Sequence, residues 1–310
     1  MIENFNEKTD EKFVDKDFAI EKLTENFMSE SFTEIQCRNL AENPFEKSKK
    51  NLNYLSGKFI YNGKIYSQGP HWNMSLKING SMRFRWNEKN QNRISFLNSV
   101  ACGKKIAQIE LIHSKNIFYL ETESDLENLS GKKGDGILTK NKNFLPVITV
   151  ADCVPIYIFD VQNKISGVLH SGWKGTGICG EAIKFLQKKF KSKPENICVV
   201  IGPHINECCY EIDKSRAEYF KNNFGENCVF ESFDEKSDLK KYSLSLTAAN
   251  LNVLEKLNVP QKNILVSKEC TCCSGEKFGS FRRETSLLPE NMSLEEKSKK
   301  FTVQAAWISW

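Results

Sequence analysis

No apolar run in this chain approaches the roughly 20 residues that a helix needs to span a bilayer. Its opening stretch, MIENFNEKTDEKF, is charged from the third residue and lacks both the basic and the apolar region of a secretory leader. No membrane partner is expected, and the expected compartment is the cytoplasm. Histidine is scarce, with four in 310 residues, so a centre that holds several metal ions largely through imidazoles is excluded. Basic helices and aromatic-basic arrays are absent as well. The formal charge of +5 is spread over interleaved lysines and acids, and nucleic acid is not an expected partner. No internal repeat or low-complexity tract is long enough to change the fold class.

Cysteine, by contrast, is plentiful. Eleven is an odd number in a large chain with no export signal, so most should be reduced thiols. With 40% hydrophobic and 27% charged residues, the chain fits a soluble globular protein. Its length suits one domain of about 200 to 250 residues plus an extension. Residues 1–50 carry twelve acids and eight bases, net −4, which leaves +9 for the remainder. Asn43-Pro44 interrupts their partly helical pattern. They read as a peripheral extension to a catalytic domain over 51–310.

From Tyr54 onward short β-rich runs alternate with helical patterns, which predicts an α+β (mixed α/β) domain. Strands are expected at Ile106–Ile112, Leu145–Val150, Val154–Phe159, Ile165–Leu169, Ile197–Ile201 and Ile264–Val266. The middle four are apolar throughout and should be covered on both faces. Helices are expected at Cys179–Phe190, Lys214–Phe224 and Leu246–Leu257, where apolar residues return at three- and four-residue steps.

Three potential metal ligands fall at strand ends: His113 after Ile106–Ile112, Cys153 between two apolar strands, and His170 after Ile165–Leu169. Two imidazoles and a thiolate suit Zn²⁺, and an open fourth position would make such a site catalytic. Spacing alone leaves the bland reading open, in which the histidines merely pack and Cys153 is a buried thiol, since the three form no short pair such as C-x-x-C or H-E-x-x-H. Cys270, Cys272 and Cys273 are a conceivable second thiolate group, but C-x-C-C lacks zinc-ribbon spacing, and a second metal is not expected.

The surrounding motifs carry a resemblance. Ile109-Glu110-Leu111-Ile112-His113-Ser114, Gly134-Asp135-Gly136-Ile137-Leu138-Thr139, Ala151-Asp152-Cys153-Val154-Pro155 and His170-Ser171-Gly172-Trp173-Lys174-Gly175 occur in that order. Ile201-Gly202-Pro203, Cys209-Tyr210-Glu211, Thr247-Ala248-Ala249-Asn250, Cys270-Thr271 and Phe278-Gly279-Ser280-Phe281-Arg282-Arg283 follow. Over residues 55–310 the chain resembles the YfiH/FAMIN-like purine nucleoside phosphorylase family, formerly described as laccase-domain or multicopper polyphenol oxidase proteins. The resemblance implies an α/β/β/α layered sandwich, related in its site to cysteine deamidase toxins, with His113, Cys153 and His170 as metal-binding and catalytic triad. It also implies phosphorolysis of adenosine, inosine, guanosine and methylthioadenosine, with hydrolytic deamination of adenosine. The family's early T-R-x-G-G-V-S stretch has no counterpart near Ser67-Gln68-Gly69-Pro70, and Lys174 stands where arginine is frequent. The polyphenol oxidase label fits poorly with four histidines, although Cu²⁺ could displace Zn²⁺ at a single site.

Phosphorolysis requires a cradle for inorganic phosphate as co-substrate. The turn Gly172–Gly177 leads into a predicted helix whose N-terminus favours anions, and Lys174 and Gly175 lie on it. An equally simple reading makes its glycines a tight strand-to-helix turn. Arg93, Arg282 and Arg283 are weaker anion candidates. Asp152 is placed either to orient a ligand imidazole or to shape a strand-end turn. Trp173, His71 and His204 read more naturally as packing or surface residues than as substrate contacts. Two other functions stay open: a metal-free hydrolase in which His170 activates Cys153 against amide bonds such as those of peptidoglycan precursors, and a metal-stabilised scaffold protein without turnover. The expected assembly is a monomer or small homo-oligomer.

Overall fold

Apolar residues alternate in role along the strand Val154–Asp160. Val154, Ile156 and Ile158 join one cluster with Ile165, Leu169, Ile197, Val199 and Ile201. Tyr157 and Phe159, on the opposite face, meet Trp72 and Phe59 with ring centroids 5.8 and 5.7 Å apart. A strand clothed on both sides has no polar face to show, so its sequence is apolar up to the closing Asp160. The computed structural model, which describes residues 53–234 and 239–310, buries every residue of Val154–Asp160 and of Ile165–Ser171. The extension expected over residues 1–50 lies outside the described residues.

Six strands pair in the order Ile264–Val266, Ile197–Ile201, Val154–Asp160, Ile165–Ser171, Gly136–Thr139, Ile117–Leu120. Five more pair in the order Tyr54–Lys58, His71–Ser75, Gln304–Ser309, Phe144–Val150, Lys105–Gln108. The two sheets lie face to face, and the Tyr157 hydroxyl donates across the interface to the Asn73 carbonyl at 2.8 Å. Helices Ile178–Phe190, Lys214–Phe224 and Leu246–Lys256 cover the outer face of the six-stranded sheet. Helix Gln91–Ala101 lays Phe96, Leu97 and Val100 against Leu145, Val147, Ala305 and Trp307 outside the other sheet. The result is the expected mixed α/β class in α/β/β/α layers.

Local chemistry sets the helix boundaries. Asn90, Asp213 and Ser245 each accept a hydrogen bond from a first-turn backbone N–H, from Arg93, Arg216 and Ala248 respectively, which satisfies donors that the helix itself leaves unpaired. The three predicted helices start and end within one residue of expectation. One predicted strand is wrong in extent. Ile106–Ile112 is a strand only over Lys105–Gln108, because the backbone beyond it turns away to hold His113 at a left-handed φ of 58°.

The Phe144–Val150 strand belongs to the five-stranded sheet and the next strand, Val154–Asp160, to the six-stranded one. Ala151-Asp152-Cys153 therefore carries the chain across from one sheet to the other. Trp307, 1% exposed, is the largest side chain between helix Gln91–Ala101 and its sheet. Trp307→Ala should cost about 3–5 kcal/mol of stability, read as a lower urea midpoint at unchanged m-value.

Candidate metal and catalytic centre

Sheet register brings two residues of the centre side by side. Ile165–Ser171 pairs antiparallel with Gly136–Thr139, ending at Leu169 opposite Gly136, and His170 N–H then donates to the Asp135 carbonyl at 2.7 Å. On the other side Ser171 pairs with Val154, which sets Cys153 beside Gly172. A β-carbon on Gly172 would lie 3.0 Å from Cys153 Sγ and 2.8 Å from His113 Cδ2, so a residue without a side chain is required there. His113 arrives from the loop that follows Lys105–Gln108, its ring 4.8 Å from that of His170 at 77° and its Nε2 3.9 Å from Cys153 Sγ.

The donor atoms of His113, Cys153 and His170 lie within 4.8 Å of one another. Asp135, fully buried, completes the arrangement. Its Oδ1 is 2.8 Å from His170 Nδ1 and accepts from His113 N–H at 2.9 Å. Its Oδ2 accepts from the Ser114 amide at 2.5 Å and the Ser114 hydroxyl at 2.6 Å. With Nδ1 committed to Asp135, His170 has its Nε2 left for a metal ion or for the Cys153 proton. Burial works to raise the Cys153 thiol, but the charge of His170 and hydrogen bonds from both imidazoles outweigh it and hold the thiol below its ordinary range. Burial likewise works against a charged His170, yet Cys153 and then Asp135 raise its pKa. The three donors therefore fit a zinc-type ion: a thiolate that forms readily and two imidazoles, one braced by a carboxylate.

Around this core the other sequence candidates divide. Gly175 packs so tightly that a β-carbon would sit 2.9 Å from the Ser114 carbonyl, which makes it a packing glycine under the His113 loop. Lys174 is exposed, with Nζ 5.3 Å from the centre of the Trp173 ring. Trp173 packs against the core and carries the Arg216 guanidinium over its ring at 4.4 Å, an anchor rather than a free stacking surface. Arg282 faces the Tyr210 ring at 5.4 Å and donates to the Glu211 carbonyl.

The two readings left open for Asp152 separate here, and two anion candidates, Arg93 and Arg283, need correction. Asp152 orients no imidazole: its carboxylate accepts from Thr271 and Ser280 hydroxyls and from the Arg282 amide at 2.7–3.0 Å. It shapes the crossover turn, where Asp152 itself takes φ 79°. Arg93 lies in the layer outside the five-stranded sheet, 3% exposed, donating to the Met82 carbonyl and Gln108. Arg283 donates to the carbonyls of Thr271, Cys272 and Phe278, which leaves its guanidinium occupied with loop backbone. The remaining histidines also have partners. His71 lies in the strand His71–Ser75, with Ser56 at 3.4 Å. Buried His204 donates from Nδ1 to the Gly202 carbonyl, so its Nε2 accepts from Thr247.

Sequence reasoning passed over four residues. Asp135 stood inside a recognised motif without a role. Tyr210, also within a motif, has its phenol pushed up to about 12 by burial first and then by the charge at Cys153, against the pull of Arg216 and Arg282. Arg216 was read only as part of a helix. Lys115 comes so near the entrance of helix Ile178–Phe190 that a β-carbon on Gly177 would lie 3.4 Å from its Nζ. The signal available for Lys115 was its place two residues after His113.

Asp135→Asn keeps the shape but removes the charge that braces His170 and the acceptor capacity for Ser114. It should lower metal affinity or turnover by about 10- to 100-fold while the chain stays folded by circular dichroism. An effect under twofold on both would remove Asp135 from the centre.

Comparison with known proteins follows the same outline. A family model described as "Multi-copper polyphenol oxidoreductase laccase" matches residues 67–288. A purine nucleoside phosphorylase of Borreliella burgdorferi is 32% identical over 187 residues, 60% of this chain and 77% of that protein. A purine nucleoside phosphorylase of Clostridium acetobutylicum is 33% identical over 186 residues, 58% of this chain and 72% of its own. The crystal structure of Bacillus licheniformis hypothetical protein YfiH superposes with a TM-score of 0.65 at 24% identity, covering 77% of this chain and 92% of that one. The chain belongs to the laccase-domain family that this model describes, the family in which these purine nucleoside phosphorylases are its relatives.

Proposed function

We propose that this chain is a zinc-dependent purine nucleoside phosphorylase acting in the cytoplasm on adenosine, inosine, guanosine and methylthioadenosine, with a second activity as adenosine deaminase. The observation that carries the reading is the convergence of His113, Cys153 and His170 on one point, braced by Asp135. The names of the relatives supply the reaction class. Among the described residues no helix is long and apolar enough to cross a membrane. The partners proposed are purine nucleosides and phosphate, and the assembly a monomer or small homo-oligomer.

Phosphorolysis exchanges the bond from ribose C1′ to the purine for a bond to a phosphate oxygen, through a ribose that carries positive charge. The protein must hold a dianion next to C1′ and stabilise the departing base. Lys115 at the entrance of helix Ile178–Phe190 and Lys174 on the turn before it are the cations placed for the dianion. Arg216, over the Trp173 ring, and Arg282, over the Tyr210 ring, are further cations available to an anion. His113, Cys153 and His170 would hold zinc, which when bound supplies a Lewis acid. Copper is an alternative occupant of the same donors. Asp135 keeps the His170 ring in one tautomer throughout.

A second reading has its own support. Asp135, His170 and Cys153 also form a carboxylate–imidazole–thiol series, with His170 favouring the thiolate, the layout of a cysteine hydrolase acting on amide bonds. A thiolate bound to a metal is a poor nucleophile, so the two chemistries exclude each other in one state.

Incubation of the purified chain with adenosine, inosine, guanosine or methylthioadenosine, with and without phosphate, separates the readings when metal content is measured on the same sample. Base and ribose 1-phosphate, or the 5-methylthio sugar phosphate from methylthioadenosine, should form only with phosphate, and inosine from adenosine without it; chelation should remove both activities. Full activity in metal-free protein would reject the zinc reading. Amide hydrolysis that survives chelation and is lost on Cys153 alkylation would establish the hydrolase. Replacing His113, Cys153 or His170 by Ala should reduce turnover at least about 100-fold with little loss of soluble protein. Lys115→Ala and Lys174→Ala should each raise the KM for phosphate while leaving deamination nearly unchanged. Equal losses in both reactions would take that lysine out of the phosphate site.

A further inference from the structure

A second group of possible metal donors lies apart from the triad. The parallel strands Ile197–Ile201 and Ile264–Val266 are neighbours at one edge of the six-stranded sheet, so the loops that follow them leave in the same direction. The first loop carries Cys208 and Cys209 on a turn closed by Cys209 and Tyr210 amides donating to the Asn206 carbonyl. The second carries Cys270 and Cys273 on a turn closed by Ser274 donating to the Cys270 carbonyl. A single bridge pairs His204 with Cys270. Thr271 N–H donates to the His204 carbonyl at 2.9 Å, and Asn206 Nδ2 to the Lys268 carbonyl at 3.1 Å. The loops are thus docked before the cysteines are considered.

The four sulfurs then meet. Cys208 Sγ is 3.8 Å from Cys209 Sγ and 3.6 Å from Cys273 Sγ, and Cys209 Sγ is 3.3 Å from Cys273 Sγ. All four donor atoms, that of Cys270 included, lie within 4.8 Å of one another. Four thiolates at about 2.3 Å from a tetrahedral zinc stand about 3.8 Å apart, so the observed spacing needs only shifts of a few tenths of an ångström for the three closest pairs. The Asn206 amide donates to Cys270 Sγ at 3.4 Å, the kind of N–H···S contact that stabilises a thiolate ligand. Cys272, between Cys270 and Cys273, packs against the hydrophobic core and reaches Cys209, but it is not among the four whose sulfurs all lie within 4.8 Å of one another. The run read from sequence as C-x-C-C thus contains a C-x-x-C pair, with Cys272 outside the four-sulfur group.

We infer that Cys208, Cys209, Cys270 and Cys273 form a second, structural site for a zinc-type ion, which clamps together the two loops leaving this sheet edge. Entry of the ion releases the thiol protons and leaves four metal–sulfur bonds; no oxidant or reductant takes part. Four protein donors make a closed set, in contrast with the three of the triad. The clamp also reaches the catalytic centre, since the Thr271 hydroxyl, inside the C-x-x-C segment, donates at 2.7 Å to Asp152, the residue before Cys153. The competing chemistry is a disulfide between the nearest pair, Cys209 and Cys273.

The test begins with the full chain carrying His113→Ala and His170→Ala, which empties the triad, purified with a reductant and dialysed after exposure to zinc. It should keep about one zinc per chain, and adding Cys208→Ser and Cys273→Ser should bring this to near zero. Cobalt in place of zinc should give the intense sulfur-to-metal charge-transfer absorption of a tetrathiolate, and should lose it with the serines. Should any variant fail to fold, the unaltered chain decides by alkylation and mass spectrometry: zinc should protect Cys208, Cys209, Cys270 and Cys273 together. Zinc retained after the serine changes, no zinc in the triad-less chain, absence of joint protection, or a Cys209–Cys273 disulfide in the protein isolated under reductant would each overturn the site. None of these results depends on nucleoside turnover, so the assignment stands or falls separately from the enzymatic one.

Discussion

The Asp135 carboxylate is the contact on which the centre depends. It is fully buried, and a buried charge is tolerable only when its lone pairs are filled. The amides of His113 and Ser114, the Ser114 hydroxyl and the His170 ring fill them. The same bonds therefore satisfy the carboxylate and fix both histidines. They also offset the left-handed backbone at His113, a conformation that costs a non-glycine residue of order 1–3 kcal/mol. Relaxing that loop would leave Asp135 with unfilled lone pairs, and this penalty keeps the imidazole in place.

The crossover at Ala151-Asp152-Cys153 plays the matching part for the thiol. Asp152 is held by residues of the Thr271 loop and by the start of helix Phe281–Ser286, so Cys153 is positioned by segments more than a hundred residues away in sequence. The centre gathers side chains from a loop, a strand start, a sheet-to-sheet crossover and a strand end. Only the packed pair of sheets brings these together.

Much of this was legible beforehand. Buried strands were readable because a strand covered on both faces has a continuous apolar sequence, and helices because their apolar residues recur at helical steps. His113, Cys153 and His170 were readable as potential ligands from their strand-end positions, and the neighbouring motifs then grouped them. The roles that stayed hidden are those set by side-chain direction. Asp135 and Asp152 are both carboxylates in strand-flanking turns, and nothing in the one-dimensional string tells which of them faces His170. Arg93 and Arg283 look like anion binders until their donors are seen to meet backbone carbonyls. The cysteine cluster was hidden for another reason: its two halves are some sixty residues apart and meet only because two parallel edge strands are adjacent. The strand Gln304–Ser309 was missed as well, although it sits in the middle of the five-stranded sheet.

That strand imposes an order on folding. It lies between His71–Ser75 and Phe144–Val150, and the Asn73 side chain donates to the Trp307 carbonyl 234 positions later. While residues 304–309 are unpaired, the sheet has a gap at its centre, and the flanking strands expose edges able to pair with other chains. Contacts of such long sequence separation form late and slowly. A folding intermediate in which residues 304–309 have not yet docked therefore leaves both flanking edges open, and the pairing of this strand is the step that closes the sheet.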